Sequence, residues 1–250
     1  MRRVRPRPVW VVVAVLALIL AAIAWVGQAR KQRGTEPVGL FTTLPILWSE
    51  SPDLGAALDP AAQPHWAQGV LAGTGPVVPL DTLAGAAGAD PLPRLRRLVL
   101  AQPRVLSPQE NVALDQWVHA GGQLLLLADP ALTAESRFAL ADPRRPQAAA
   151  LLSPILGRWG LELRFIEEQA LGERQREVMG MAVPVNLPGH FVSQGQYNCR
   201  LWADGLAVTC AIGKGRVVAL ADAAVLESAD ADGARARAFA GLLDSAFAAR

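Results

Sequence analysis

Short apolar runs and amphipathic stretches alternate along most of the chain. Apolar runs at residues 39–48, 98–101, 124–128 and 216–222 predict buried strands. Two of them, 98–101 and 124–128, show no alternation of apolar and polar positions, as expected of strands that are covered on both faces. Helix patterns lie between the runs. The sequence therefore predicts an α/β fold with a mostly parallel sheet and helices on both faces.

The strongest local signal is a helix start at Ser107-Pro108-Gln109-Glu110. The Ser107 hydroxyl can accept the backbone N–H of Glu110 while the Glu110 side chain reaches back, which is a capping box. Pro108 stands at the first helical position, where its missing N–H costs nothing, and Gly121 can end the helix. Together with the flanking apolar runs, residues 98–128 predict a strand–helix–strand unit with a parallel crossover.

Residues 177–212 change to short strands and turns, which predicts a β-hairpin insertion late in the domain. Asp204-Gly205 is a strong signal for a two-residue hairpin turn. Cys199 and Cys210 are equidistant from this turn, so they would face each other as a wide, hydrogen-bonded pair. Their expected separation is compatible with a disulfide. The alternative is that both are small buried apolar side chains.

Residues 9–26 form an unbroken run of 18 apolar residues. As a helix this run spans roughly 27 Å, close to the ~30 Å hydrocarbon core of a bilayer. Trp10 and Trp25 stand near its ends, where amphipathic rings favour the membrane interface. The run predicts a transmembrane helix. A cleaved signal peptide is the alternative, since Ala22-Ile23-Ala24 has the small-x-small form of a cleavage site.

The domain organisation follows from this helix. The predicted parts are a basic flank at residues 1–8, the transmembrane helix at 9–27, a linker at 28–38, and an α/β domain at 39–250. More cations precede the apolar run than follow it, which favours a cytoplasmic N-terminus. We expect a single-pass protein of the bacterial inner membrane with a periplasmic soluble domain. The lipid bilayer would be its first partner.

The formal net charge of +2 misrepresents the domain, because the cations are concentrated near the N-terminus. Seven of the 24 Lys and Arg residues lie within residues 1–33, whereas all 22 Asp and Glu residues lie beyond. The remainder is therefore acidic, with 17 cations against 22 anions. The basic balance of the whole chain is no evidence for nucleic-acid binding, and we expect no nucleic-acid partner.

Ligands of open α/β sheets bind beyond the carboxyl ends of the strands. The residues that the sequence places there, and that we take as candidate binding residues, are Trp48, Glu50, Gln102, Asp129 and Asp222. The three carboxylates could hold Mg²⁺ or Ca²⁺, which prefer oxygen ligands. However, Asp also caps turns through local hydrogen bonds. We favour capping for Asp129 and Asp222, and predict neither a metal nor a cofactor.

No arrangement of catalytic residues is evident in the sequence. The three histidines, His65, His119 and His190, do not accompany a Cys or Ser in a nucleophile–base pattern. The glycine pairs fit neither the dinucleotide-binding fingerprint nor the P-loop. The sequence therefore predicts no catalytic residues and no enzyme activity.

Three segments resemble a known family. Residues 98–130, LVLAQPRVLSPQENVALDQWVHAGGQLLLLADP, resemble a hallmark of the gliding-motility-associated (GldG-type) auxiliary proteins of ABC transporters. LLSPILGRWGLEL, at 151–163, and GKGRVVALAD, at 213–222, resemble later parts of these and related membrane-anchored domains. The resemblance implies a class I glutamine amidotransferase-like, or flavodoxin-like, domain without its catalytic Cys-His-Glu. The nucleophile position would lie near Asp129.

The resemblance also implies a function. We expect a non-catalytic exported domain that acts as an auxiliary or assembly component of an ABC-type transporter or other cell-envelope machinery. ABC-transporter subunits or other envelope proteins would then be its partners. The alternatives are an envelope module that binds a small ligand such as a glycan or peptide, and a divergent hydrolase.

Overall fold

The fold is seen in a computed structural model, which describes residues 15–16, 36–48, 50, 65–85, 90–140, 142–227, 229–230 and 232–248. The predicted basic flank, and the predicted transmembrane helix apart from Val15 and Leu16, lie outside these residues, as does most of the linker. Among the residues described, none of the helices has the length and apolar character needed to cross a bilayer.

Eleven strands and four α-helices make up the described part of the domain. The strands are β1 (Val38–Thr42), β2 (Val77–Pro79), β3 (Arg97–Ala101), β4 (Gln123–Leu127), β5 (Leu161–Arg164), β6 (Arg174–Val178), β7 (Met181–Val185), β8 (His190–Ser193), β9 (Asn198–Trp202), β10 (Ala207–Ile212) and β11 (Gly215–Leu220). The helices are α1 (Trp66–Thr74), α2 (Pro108–Ala120), α3 (Ser153–Arg158) and α4 (Ala234–Ala246).

Seven of the strands form one mixed sheet, in the order β2-β1-β3-β4-β11-β10-β9. The pairs from β2 to β11 are parallel. The pairs β11–β10 and β10–β9 are antiparallel. Two further sheets, β5–β8 and β6–β7, have two antiparallel strands each.

The predicted fold class is wrong in its description of the sheets. Seven of the eleven described strands take part in antiparallel pairs, so the architecture is not the mostly parallel, amidotransferase-like or flavodoxin-like one that we expected. The reason lies after residue 160. There the strands follow one another through short turns, whereas a parallel crossover needs a connection of about a dozen residues or more.

The strand–helix–strand unit is present as β3, α2 and β4, and its two strands pair in parallel. Ser107 Oγ accepts the backbone N–H of Glu110 at 3.2 Å, and Glu110 Oε2 accepts the N–H of Ser107 at 2.8 Å, which completes the capping box. Gly121 follows the helix with φ 124°, a conformation that glycine adopts at little cost. Here the local sequence signal was sufficient.

Helices cover both faces of the mixed sheet, which explains the unbroken apolar runs. Leu125 and Leu127 of β4 belong to the core formed with α1 and α4. Leu124 and Leu126 belong to the core formed with α2 and α3. Because successive side chains of a strand point to opposite faces, every residue of β4 is buried.

Cys199 of β9 and Cys210 of β10, the predicted pair, are joined by a disulfide with a Cα–Cα distance of 4.1 Å. They are directly opposite in the register, which centres on Asp204-Gly205. The loop has four residues rather than two, since Trp202 pairs with Ala207. The loop is longer by one residue on each side than a two-residue turn. Each pair along the ladder that would have been of the wide, hydrogen-bonded type is therefore of the narrow type, and the reverse. The cysteines therefore form the narrower type of pair.

Candidate functional site

Three predicted residues, Gln102, Asp129 and Asp222, meet at the carboxyl ends of β3, β4 and β11. We call them the strand-tip cluster. All three have 0% of their surface exposed. Parallel pairing of β3, β4 and β11 brings their ends to one edge of the sheet, so the sequence located this edge correctly. Each polar group in the cluster has a structural partner.

Gln102 joins two strand ends. Its Oε1 accepts the backbone N–H of Asp129 at 2.9 Å, and its Nε2 donates to the carbonyls of Asp129 at 3.0 Å and Gln147 at 2.8 Å. Its own carbonyl accepts the Thr43 hydroxyl at 2.5 Å. The nitrogen and the oxygen of the amide thus both bond to protein backbone, and the side chain has no exposed surface at which a ligand could bind.

The Asp129 carboxylate holds backbone groups at two turns. Oδ1 accepts the N–H of Ala131 at 2.7 Å, and Oδ2 accepts the N–H of Ala223 at 3.2 Å. Burial raises the pKa of Asp129 to about 7, although these two hydrogen bonds favour the charged form. The contact with Ala223 ties the end of β4 to the segment after β11.

Asp222 has the same role one strand further along. Oδ1 accepts the N–H of Ala224 at 2.6 Å, and Oδ2 accepts the N–H of Asn186 at 2.9 Å. Burial and the neighbouring Asp129 carboxylate raise the pKa of Asp222 well above its usual range. No group of His, Cys, Asp and Glu in the described residues could hold a metal ion. The four carboxylate oxygens of the strand-tip cluster each accept a backbone N–H.

A further polar group beside the cluster had no signal in the sequence. Glu227 accepts hydrogen bonds from the hydroxyl of Thr133 at 2.7 Å and from its backbone N–H at 3.3 Å. Asn186 Nδ2 donates to the same hydroxyl at 2.9 Å. Burial raises the pKa of Glu227. These residues are far apart in the chain, and neither spacing nor composition indicates that they meet.

The other two predicted residues, Trp48 and Glu50, lie apart from the cluster at a partly open surface. Trp48 is 39% exposed, and its ring centroid lies 5.9 Å from that of Phe138. The guanidinium of Arg144 lies over the Phe138 ring at 4.1 Å. We call Trp48, Glu50, Phe138 and Arg144 the Trp48 surface. The structure thus divides the predicted set of five into a sealed cluster and an accessible pair.

Glu50 contributes an unusual carboxylate to the Trp48 surface. Its Oε2 accepts the backbone N–H of Arg137 at 2.7 Å. Its Oε1 is buried and has no hydrogen-bond partner among the described residues. Buried polar atoms almost always have a partner, so an atom without one indicates a place for a ligand or water. Phe138 and Arg144 were missed, because only folding brings them to Trp48.

The histidines do not form a nucleophile–base pair with a Ser or Cys in the described part of the chain. His65 caps α1 by accepting the N–H of Ala67 at 3.2 Å. His119 lies 3.1 Å from the Tyr197 hydroxyl. His119 is at the end of α2, at the sheet edge opposite the strand-tip cluster, and its side chain is 38% exposed. This contact joins α2 to the segment before β9.

Comparison with known proteins gives no family and no curated relative that matches the chain. Among solved structures, it is similar to an exo-β-1,4-mannosidase from Opitutaceae bacterium strain TAV5, with 14% identity, a TM-score of 0.43, and coverage of 81% of this chain and 33% of that one. It is also similar to a β-galactosidase from Rahnella sp. R3, with 13% identity, a TM-score of 0.43, and coverage of 84% and 31%.

A protein from Salmonella typhimurium described as cytoplasmic is similar with 11% identity and a TM-score of 0.49, over 83% of this chain and 97% of that one. The chain spans about a third of the length of the two glycosidases. At these TM-scores, the likeness carries no argument about activity.

These findings correct the predicted function and localisation. The named structures are glycosidases and a protein described as cytoplasmic, rather than components of a transporter. The described residues contain no helix able to span a bilayer. The comparisons give no support to the prediction of an ABC-transporter auxiliary, anchored in the bacterial inner membrane with a periplasmic domain, and we do not retain it. The resemblance to GldG-type proteins has no support among the matches and stays a prediction.

Proposed function

We propose that this domain is a binding module without catalytic activity, and that it binds a carbohydrate at the Trp48 surface. The observation that carries the proposal is the exposed Trp48 ring beside the Glu50 carboxylate. One oxygen of that carboxylate is held by Arg137, and the other has no partner among the described residues.

The proposal of no catalytic activity rests on the inaccessibility of the carboxylates in the strand-tip cluster. A general acid or base must come within hydrogen-bond reach of its substrate. Asp129 and Asp222 have no exposed surface, and both oxygens of each already accept backbone N–H groups. Their raised pKa values follow from burial and do not make the carboxylates accessible.

The chemistry of the Trp48 surface favours a sugar ring. One face of a pyranose is formed by C–H groups, and stacking this face on an aromatic ring removes apolar surface from water. The hydroxyls at the rim of the ring need acceptors, and Glu50 Oε2, which accepts one hydrogen bond among the described residues, can accept a second. A few placed polar groups beside aromatic side chains are typical of small-molecule sites.

The side chains of this surface contact one another and their neighbours. Arg144 is held by Asp142 through two hydrogen bonds of 2.7 and 3.0 Å, and it lies on the Phe138 ring. Phe138 in turn contacts Trp48. These contacts restrict the side chains before a ligand binds, which reduces the entropy lost when a ligand stacks on Trp48.

Screening the full chain against an array of neutral oligosaccharides, followed by calorimetric titration with the strongest binder, tests the proposal. Trp48→Ala is expected to weaken binding at least about tenfold, a typical loss for an aromatic anchor. Glu50→Gln is expected to weaken it less, because the amide keeps one acceptor oxygen. Phe165→Ala is the matched control, since Phe165 is also 39% exposed but lies outside the surface.

Two results would contradict the proposal. One is the lack of any binder on the array, or a binder whose affinity is equal in wild type and Trp48→Ala. The other concerns catalysis: hydrolysis of an oligosaccharide by the wild-type chain, lost in Asp129→Asn, would show that the cluster performs chemistry.

A further inference from the structure

A second site lies on the mixed sheet, away from both the strand-tip cluster and the Trp48 surface. A cavity of about 220 Å³ opens on β9, β10 and the start of β11. Its lining residues are Asn198, Arg200, Thr209, Cys210, Ala211 and Arg216. Among these described residues there are two guanidinium groups, one hydroxyl and one amide, and no carboxylate. We propose that this cavity binds a doubly charged oxyanion of the phosphate class.

The strand register places the two arginines on the same face of the sheet, on either side of β10. Arg200 of β9 pairs with Thr209, and Arg216 of β11 pairs with Ala211. Thr209 and Ala211 are two residues apart, so they point to the same face of the sheet. Both line the cavity, together with the arginines of the two neighbouring strands.

Each guanidinium is positioned without using its terminal nitrogens on a carboxylate. Arg200 lies over the Trp202 ring at 3.8 Å. Arg216 Nε donates to the carbonyl of Ser245 at 2.8 Å. No described acidic residue forms an ion pair with either arginine. Two positive charges therefore share one polar cavity with donors still free, and a guanidinium matches the oxygens of phosphate in a bidentate manner.

Thr209 completes the donor set. Trp202 Nε1 donates to Thr209 Oγ1 at 3.2 Å, so the hydroxyl already accepts a hydrogen bond and its own proton is free to donate. The disulfide between Cys199 and Cys210 joins β9 to β10 next to this pair. The floor of the cavity is thereby fixed, which reduces the entropy lost on binding.

The test is calorimetric titration of the full chain with inorganic phosphate, and with acetate at matched ionic strength. Phosphate is expected to bind, and acetate at least about tenfold more weakly, because a single charge meets only one of the two guanidinium groups. Arg200→Gln and Arg216→Gln are each expected to weaken phosphate binding by about tenfold or more. Thr209→Val is expected to weaken it less.

Lys214→Gln is the matched control. Lys214 stands in the turn between β10 and β11, so this variant removes one positive charge from the same hairpin but not from the cavity. Its phosphate affinity should equal that of the wild type. Thermal melting without phosphate identifies any variant that fails to fold. If Arg200→Gln fails, Arg200→Lys replaces it, because Lys keeps the positive charge but lacks the two parallel N–H donors of a guanidinium group.

Three outcomes would overturn the proposal. Phosphate does not bind the wild type; acetate binds as tightly as phosphate; or Lys214→Gln weakens binding as much as the two arginine variants. The last outcome would mean that the general charge of the hairpin attracts the anion. None of these results bears on carbohydrate binding at Trp48.

Discussion

Gln102 shows how a strand-tip residue can be buried, strained and structural at once. It has φ 43°, a backbone conformation that costs free energy in any residue other than glycine. Its side-chain amide offsets this cost with three hydrogen bonds to backbone groups of Asp129 and Gln147. We infer that this side chain, rather than a ligand, fixes the ends of β3 and β4.

Replacing Gln102 with Met tests this role, because Met keeps the length of the side chain and loses only its polar atoms. The backbone N–H of Asp129 and two carbonyls would lose a buried partner. We expect the free energy of unfolding to fall by about 2–4 kcal/mol, measured by urea denaturation. Gln116→Met, at an exposed position of α2, should change it by less than about 0.5 kcal/mol. Equal stability of wild type and Gln102→Met would contradict the role.

At this scale the sequence could locate the residues but not their environment. The predicted strand ends placed Gln102, Asp129 and Asp222 at one edge of the sheet. Their burial depends on partners far along the chain, such as Gln147 for Gln102 and Asn186 for Asp222. No local pattern encodes such a contact, so a cleft and a sealed edge look alike in the sequence.

Helix α2 is fixed to its surroundings by its capping residue Glu110, which is 2% exposed. Its carboxylate accepts hydrogen bonds from the N–H groups of Ser107 and Leu83 and from two nitrogens of Arg104. Burial alone would raise the pKa of Glu110, but these hydrogen bonds outweigh it and lower the pKa to about 2. The capping box thus also joins α2 to the loop before β3.

Glu110→Gln should therefore be more harmful than the loss of an ordinary cap. The amide keeps one acceptor oxygen, and its NH₂ group would face donors. We expect a loss of about 2–4 kcal/mol in the free energy of unfolding at neutral pH, measured by chemical denaturation. Gln109→Ala, at the exposed neighbouring position, is the control. The difference in free energy of unfolding between Glu110→Gln and wild type should shrink as the pH falls from about 4.5 to 2. A difference that stays constant over this range would contradict a stabilising role for the charge of Glu110.

At the level of elements, sequence signals were strongest where they were local. The capping box, the glycine after α2 and the symmetry of Cys199 and Cys210 about their turn all depend on a few neighbouring residues. The partners of β5, β6, β7 and β8 were not predicted. Which of several short, partly exposed strands pair is decided by long-range packing, and their patterns fit more than one partner.

At the scale of the whole domain, three acidic groups with raised pKa values lie near the ends of β4 and β11, two of them fully buried and one partly buried. Burial raises the pKa values of Asp129, Asp222 and Glu227, and raises that of Asp129 to about 7. Burial lowers the pKa of His65, because the folded state disfavours the charged imidazole. As the pH falls, the contribution of His65 to the free energy of unfolding decreases, whereas the contributions of the three acids increase. Since the three acids outnumber this histidine, the domain should be more stable at mildly acidic pH than at alkaline pH.

Asp129 gives the sharpest test of this pH dependence. Folded Asp129 binds its proton more tightly than unfolded Asp, so its contribution is complete below about pH 4 and is lost as the pH rises to about 7. Asp129→Asn removes this titration. The stability of wild type relative to the variant should fall with rising pH in this window, by up to ~1.4 kcal/mol per pH unit, in urea denaturation series. Asp244→Asn, at an exposed position of α4, is the control, and its free energy of unfolding should change with pH as that of wild type does. If the free energy of unfolding of Asp129→Asn also changes with pH as that of wild type does, the buried carboxylate does not titrate in this range.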